Sequence, residues 1–205
     1  VVRPLLARAF WALSRYRLRS EAPPAGRSAV LLGAPHTSNW DLVFMLAICW
    51  RHGFSPLWLG KHTLFKPPFG ALMRALGGIP VNRAHPGRLV DEIVERVRSG
   101  ERFFLVIAPE GTRHRGERWK SGFYRIARST QLPVVLGYVD SATHTAGLGP
   151  TLTLSGDVRA DMDRIRAFYA GKRGVRPELF TPPLLGEERT GEERTGEERA
   201  APGAG

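Results

Sequence analysis

The sequence predicts a single α/β domain with a largely parallel or mixed central sheet flanked by helices. Three observations carry this. Short apolar runs of strand length alternate with longer segments of helical periodicity. The 205 residues, 42% hydrophobic and 24% charged, are enough for one core of ordinary size. Apolar periodicity is confined to roughly residues 28–180, between an Arg-rich amphipathic segment and a run of charged repeats.

The elements follow in order. Residues 1–20 form an amphipathic helix in which Val2, Leu5, Leu6, Ala9, Leu13 and Tyr16 share one face and Arg8, Arg15 and Arg19 lie opposite, while Trp11 and Arg17 fit the pattern poorly. Such a helix either packs on the domain or lies in the plane of a membrane as an anchor. Residues 21–27, with Pro23, Pro24 and Gly26, are a linker. Residues 29–33, 56–60, 103–108 and 133–139 read as short buried strands, with a late strand over 151–154. Helices are expected over 40–52, 69–76, 87–99, 121–130 and 162–170. The domain therefore occupies 28–180. From Thr181 the periodicity stops, and Gly-Glu-Glu-Arg-Thr occurs at 186–190 and again at 191–195, followed by Gly-Glu-Glu-Arg-Ala. This composition cannot build a core, so 181–205 reads as a disordered charged tail.

Formal net charge is +11, with an isoelectric point near 10.9. Setting aside residues 186–200, with their six Glu and three Arg, leaves 27 basic and 13 acidic residues in the rest. A body so basic attracts polyanions: nucleic acid, anionic lipid headgroups, coenzyme A phosphates or an acidic carrier protein. The lone Cys49 excludes an intramolecular disulfide and a Cys-based zinc site, and the six histidines show no helical metal spacing, so no metal site is expected. The Arg-rich start lacks a signal-peptide cleavage pattern. The longest apolar run, residues 42–50, is far short of the ~20 residues of a spanning helix, so the chain is expected not to cross a membrane by itself. It opens Val1-Val2 without Met, which leaves room for residues upstream.

The residues that carry chemistry begin where the first strand ends. Ala34-Pro35-His36-Thr37-Ser38-Asn39-Trp40-Asp41 is a strand-to-helix turn. Five residues apart on one continuous helix, His36 and Asp41 would point about 140° from each other. Across a turn, the carboxylate in the first helical turn can fold back to the imidazole, fix its tautomer and stabilise the cation formed when the ring takes a proton. The same residues also fit a capping box, with Asp41 reaching back to the backbone at Ser38.

Three further blocks follow: Gly78-Ile79-Pro80-Val81-Asn82-Arg83, with an arginine just after a short strand; Ala108-Pro109-Glu110-Gly111-Thr112-Arg113, after the strongest strand; and Leu132-Pro133-Val134-Val135. With His36 to Asp41, this ordered set resembles the glycerolipid acyltransferases, the family that includes lysophosphatidic acid acyltransferase. The resemblance spans roughly residues 30–140. Lys61 ahead of Pro67-Pro68-Phe69-Gly70, and Lys120-Ser121-Gly122-Phe123, add to it.

The resemblance implies a glycerol-3-phosphate acyltransferase-like fold and transfer of a fatty acyl group from an acyl thioester to a lysophospholipid hydroxyl, most simply lysophosphatidic acid to phosphatidic acid. His36 would be the general base and Asp41 its orienting partner. Arg113, in a turn shaped by Glu110, Gly111 and Thr112, would hold the acceptor phosphate, with Arg83 and Lys61 adding charge. Glu110 would position Arg113 rather than perform chemistry. The partners are the donor, acyl-CoA or acyl carrier protein, and the lysolipid acceptor; no other cofactor is implied. The place would be an anionic membrane surface, peripheral on the cytoplasmic inner face of the cell membrane. The physical chemistry agrees, because imidazole, with an ordinary pKa near ~6.5, suits removal of a hydroxyl proton at neutral pH, and arginine grips phosphate bidentately. The thioester already supplies the leaving group.

Pro35, Ala108, His114 and Gly137 depart from residues common at those places in the family. They bear on the acceptor, for which an amino-acid lipid or a glycolipid is the alternative. A basic nucleic-acid-binding module lacks a zinc-finger, RNP or helix-turn-helix signature here, so no nucleic-acid partner is expected. A serine hydrolase lacks its Gly-x-Ser-x-Gly elbow.

Overall fold

The computed structural model describes residues 2–81 and 86–188. Among these, seven strands form one mixed sheet: β1 (Arg17–Leu18), β2 (Ala29–Ala34), β3 (Pro56–Lys61), β4 (Gly78–Val81), β5 (Phe104–Ile107), β6 (Val134–Asp140) and β7 (Thr145–Leu152). Their order across the sheet is β1-β7-β6-β2-β5-β3-β4. The run β6-β2-β5-β3-β4 is parallel throughout, β7 is antiparallel to β6, and β1 is parallel to β7.

Six α-helices cover the two faces: α1 (Val2–Leu13), α2 (Trp40–Arg51), α3 (Gly70–Ala75), α4 (Pro86–Arg98), α5 (Gly122–Thr130) and α6 (Val158–Tyr169). The central strand β2 shows why three layers are needed. Its sequence Ala-Val-Leu-Leu has no polar side, and alternate residues point to opposite faces. Val30 and Leu32 join the core formed with α5 and α6 residues such as Phe123, Ile126, Met162 and Ile165. Ala29 and Leu31 join the core formed with Phe44 and Ile48 of α2.

The helix expected over residues 1–20 stops at Leu13. Ser14 Oγ accepts the Tyr16 N–H at 3.0 Å and turns the chain. Tyr16 then buries its ring edge-on against Phe44, with centroids 4.7 Å apart. Arg17 and Arg19 donate their N–H groups to His144 and Ala146 carbonyls, which makes this stretch strand β1 rather than helix. The helix face also differs from expectation. Ala7, Phe10 and Trp11 pack on α2, and Trp11 Nε1 donates to the Ala47 carbonyl at 3.3 Å. Val2, Leu5, Leu6, Ala9 and Leu13, the predicted apolar face, are exposed, Leu13 at 89%. The crowded contact side took the aromatic residues and left the aliphatic stripe open.

The late strand begins six residues earlier than expected. Gly147 and Gly149, within this strand, both mark close approaches. A Cβ on Gly147 would stand 2.0 Å from the Arg19 carbonyl oxygen, and one on Gly149 2.3 Å from the Phe168 ring. Residues 181–188, assigned from sequence to the charged tail, belong to the packed domain: Thr181 and Leu185 are buried, and Glu188 pairs with Arg166 at 2.7 Å. The rest of that segment lies outside the described residues.

Candidate active site

Because β2, β3, β4 and β5 run in parallel, their C-terminal ends fall on one edge of the sheet, the usual place for sites in open α/β folds. His36 follows the end of β2, Glu110 to Arg113 follow β5, and Lys61 is the last residue of β3, in register with Val81 at the end of β4. One edge thus gathers His36, Lys61 and Glu110 to Arg113, whereas the Leu132-Pro133-Val134-Val135 block opens β6 at the opposite edge. Arg83, two residues past β4, lies outside the described residues.

The loop carrying His36 leaves β2 through a cis Ala34–Pro35 bond. His36 Nδ1 is 3.0 Å from Asp41 Oδ2. That same oxygen accepts the N–H groups of Thr37 and Ser38, both at 2.8 Å. One oxygen of Asp41 therefore makes both the contact to the imidazole and the contacts to the loop backbone. The Ser38 contact is the reach-back of the box, and Ser38 Oγ accepts from Trp40 N–H at 3.2 Å. A carboxylate only accepts, so the contact holds the proton on Nδ1 and leaves the lone pair on Nε2. The His36 side chain is 28% exposed, open enough to meet a substrate.

Glu110 stands behind this loop. It is 4% exposed, and its Oε1 accepts the His36 N–H at 2.9 Å. The expected partner was Arg113; the carboxylate holds the His36 backbone instead. Glu110 Oε2 and Asp41 Oδ1 are buried and have no hydrogen-bond partner among the described residues. Burial pushes the Glu110 carboxyl up to about 7; the N–H groups of His36 and of Glu110 itself, and the His36 charge, oppose the shift, and Asp41 adds to it.

Gly111 takes a left-handed φ of +67°, and its N–H donates to the Ala108 carbonyl at 3.1 Å. This turn is why only glycine sits comfortably between Glu110 and Thr112. Thr112 Oγ1 accepts the His114 N–H at 3.3 Å, and Arg113 is exposed at the tip. The loop is braced from the C-terminal segment that the sequence reading left out. Gly116 donates to Thr181 Oγ1 at 2.9 Å, and Trp119 donates its indole N–H to the Thr181 carbonyl at 3.2 Å and its backbone N–H to that of Leu184 at 2.8 Å.

The acyltransferase family model matches residues 16–136, more than half of the chain and all of the blocks from His36 to Arg113. The chain belongs to the acyltransferase family. Its fold is similar to the crystal structure of the 1-acyl-sn-glycerophosphate (LPA) acyltransferase PlsC from Thermotoga maritima, at 19% identity over 83% of this chain and 75% of that one, with a TM-score of 0.58. Among curated proteins, none matches at significant similarity.

In this acyltransferase the edge beyond His36 is basic. Lys61, Lys66, Arg113, Arg115 and Lys120 are all exposed on the connections leaving β3 and β5. Neither Lys61 nor Arg113 has an acidic partner among the described residues, so both cations are available to an anionic group. No group of His, Cys, Asp and Glu suited to a metal ion occurs among the described residues. No helix among them is long and apolar enough to cross a membrane.

Proposed function

We propose that this acyltransferase moves a fatty acyl group from an acyl thioester, acyl-CoA or acyl carrier protein, to the hydroxyl of a lysophospholipid, with lysophosphatidic acid as the simplest acceptor. The observation that supports this most is the His36–Asp41 contact, which leaves Nε2 as a base at the open edge of the sheet. Nε2 takes the proton of the acceptor hydroxyl as its oxygen attacks the thioester carbonyl carbon. The C–S bond then breaks, and the imidazolium returns the proton to the departing thiolate. Asp41 stabilises the transient cation and keeps the ring aligned. A positioned base of this kind contributes about 10²–10⁴-fold.

Arg113 and Lys61 suit the acceptor phosphate, and Arg83 adds to them by its place after β4. Holding the phosphate sets the hydroxyl beside the base and converts an encounter into a positioned attack. The exposed stripe Val2, Leu5, Leu6 and Leu13, with Trp40 and Phe69 at 59% and 67% exposure, supports seating on an anionic membrane surface, where the lysolipid resides. On this reading the enzyme is peripheral, on the cytoplasmic inner face of the cell membrane.

A donor-by-acceptor activity matrix tests the proposal, with His36→Ala as the blank. Ester formation from an acyl thioester and lysophosphatidic acid is the expected result. A preference for an amino-acid lipid or a glycolipid would replace the acceptor and keep the chemistry. Wild-type transfer by His36→Ala would overturn the mechanism.

A further inference from the structure

The residue after His36 is anchored by a distant part of the chain. Thr37 is 2% exposed, and its Oγ1 accepts the N–H of Arg176 at 3.0 Å, across 139 positions of sequence. The segment that brings Arg176 here follows α6 and is itself pinned to the end of β6. Arg173 N–H donates to Asp140 Oδ1 at 3.1 Å, and Gly174 N–H donates to the Val139 carbonyl at 3.2 Å. Gly174 has φ +61°, and a Cβ there would stand 2.9 Å from Thr37 Oγ1 and 3.1 Å from Pro35 Cβ. The backbone therefore lies directly over the two residues that flank His36. The residues that reach Thr37 and Pro35 in this way, 173–176 with Val139 and Asp140 beneath them, lie beyond residue 136, where the family match ends.

We propose that residues 173–176 form a clamp that positions His36, with Thr37 as the positioning residue that joins clamp to loop. The inference rests on His36 being the base. Asp41 orients the ring from α2, and Glu110 holds the amide of His36 from the connection after β5. The clamp supplies the remaining restraint, from β6 and the segment after α6. A base must sit within hydrogen-bond reach of the proton it removes, and a displacement near 1 Å costs on the order of 100-fold in rate. A loop held at Thr37 loses that freedom.

The test uses the whole chain, with kcat and KM measured separately for donor and acceptor. Thr37→Val keeps the volume and removes the acceptor oxygen; Thr37→Ser keeps the oxygen. We expect Thr37→Val to lower kcat about 10-fold or more with both KM values within about twofold, and Thr37→Ser to stay within about threefold of wild type. Gly174→Ala, which puts a methyl group against Thr37, is expected to behave like Thr37→Val and serves if that variant does not fold. The deciding readout is the double variant. In a His36→Ala background Thr37→Val should cost little further rate, since both act through one side chain. An equal factor in both backgrounds marks a merely structural role and overturns the clamp. So does a folded Thr37→Val or Gly174→Ala with wild-type kcat, or a Thr37→Ser as impaired as Thr37→Val. A His36→Ala protein with wild-type activity is a different result: it removes the base assignment itself.

Discussion

One oxygen of Asp41, Oδ2, meets His36 Nδ1 at 3.0 Å while also taking the N–H groups of Thr37 and Ser38 at 2.8 Å. The atom that meets the imidazole is thus also the atom that folds the loop.

That dual role separates two substitutions at Asp41. Asp41→Asn keeps an acceptor oxygen for the loop but loses the negative charge beside the ring; kcat should fall about 10²–10⁴-fold with a melting temperature close to wild type. Asp41→Ala also orphans the loop donors, at about 1–3 kcal/mol for each buried group left unpaired, and should melt lower. Steady-state kinetics with thermal melts of the two proteins check this. Equal melting temperatures would show that the loop does not depend on the carboxylate.

Glu110 makes stability depend on pH. Its carboxyl is raised from 4.5 to about 7 in the folded chain, so the folded state binds a proton that the unfolded state has already lost over that interval. The resulting stabilisation is complete below about pH 4.5 and disappears as pH rises through about 7. A shift of that size is on the order of 3 kcal/mol. Glu110→Gln, which still offers an oxygen to His36 N–H, should flatten the decline in melting temperature between pH 5 and 8. A pH dependence identical to wild type would assign the decline to other groups.

Arg113 bears on the acceptor. Arg113→Ala should raise KM for a phosphorylated acceptor about 10-fold or more, the scale of one charge-assisted hydrogen bond, and change KM for an unphosphorylated acceptor far less. Initial rates over a range of both acceptors decide it. An equal rise for both would mean that Arg113 shapes the loop rather than grips phosphate.

The N-terminal helix invites a test by substitution. Deleting residues 1–20 would remove β1 and the buried Tyr16 and would confuse folding with binding. Leu5→Glu with Leu6→Glu changes only exposed positions. Co-sedimentation with anionic vesicles should fall several-fold while the melting temperature stays within a few degrees. Unchanged sedimentation would reject α1 as the membrane contact.

Leu185, at 3% exposure, reports on the end of the domain. Leu185→Ala should cost about 2–5 kcal/mol, as buried leucines do, and loosen the loop that carries Arg113 through Trp119 and Thr181. Denaturant unfolding checks it, and a loss below 0.5 kcal/mol would return the segment to the tail.

The sequence by itself determined the α/β class, the strands β2, β3, β5 and β6, and the blocks from His36 to Arg113. Those features are local: an all-apolar run of strand length, a glycine where φ must be positive, a carboxylate within one turn of an imidazole. Only the tertiary structure decided what each polar group meets. Periodicity extended the first helix to residue 20, because nothing in that stretch announces pairing with β7. Gly147 and Gly149 let β7 start early by close approach to Arg19 and Phe168, because neighbours so far apart in sequence leave no local signal. Glu110 turned from Arg113 to the His36 amide, and Thr37 found Arg176 far along the chain, because a buried hydrogen bond depends on which strands are neighbours. Parallel pairing of β2 with β5 and β6 brought those partners together, and that pairing is a property of the whole sheet.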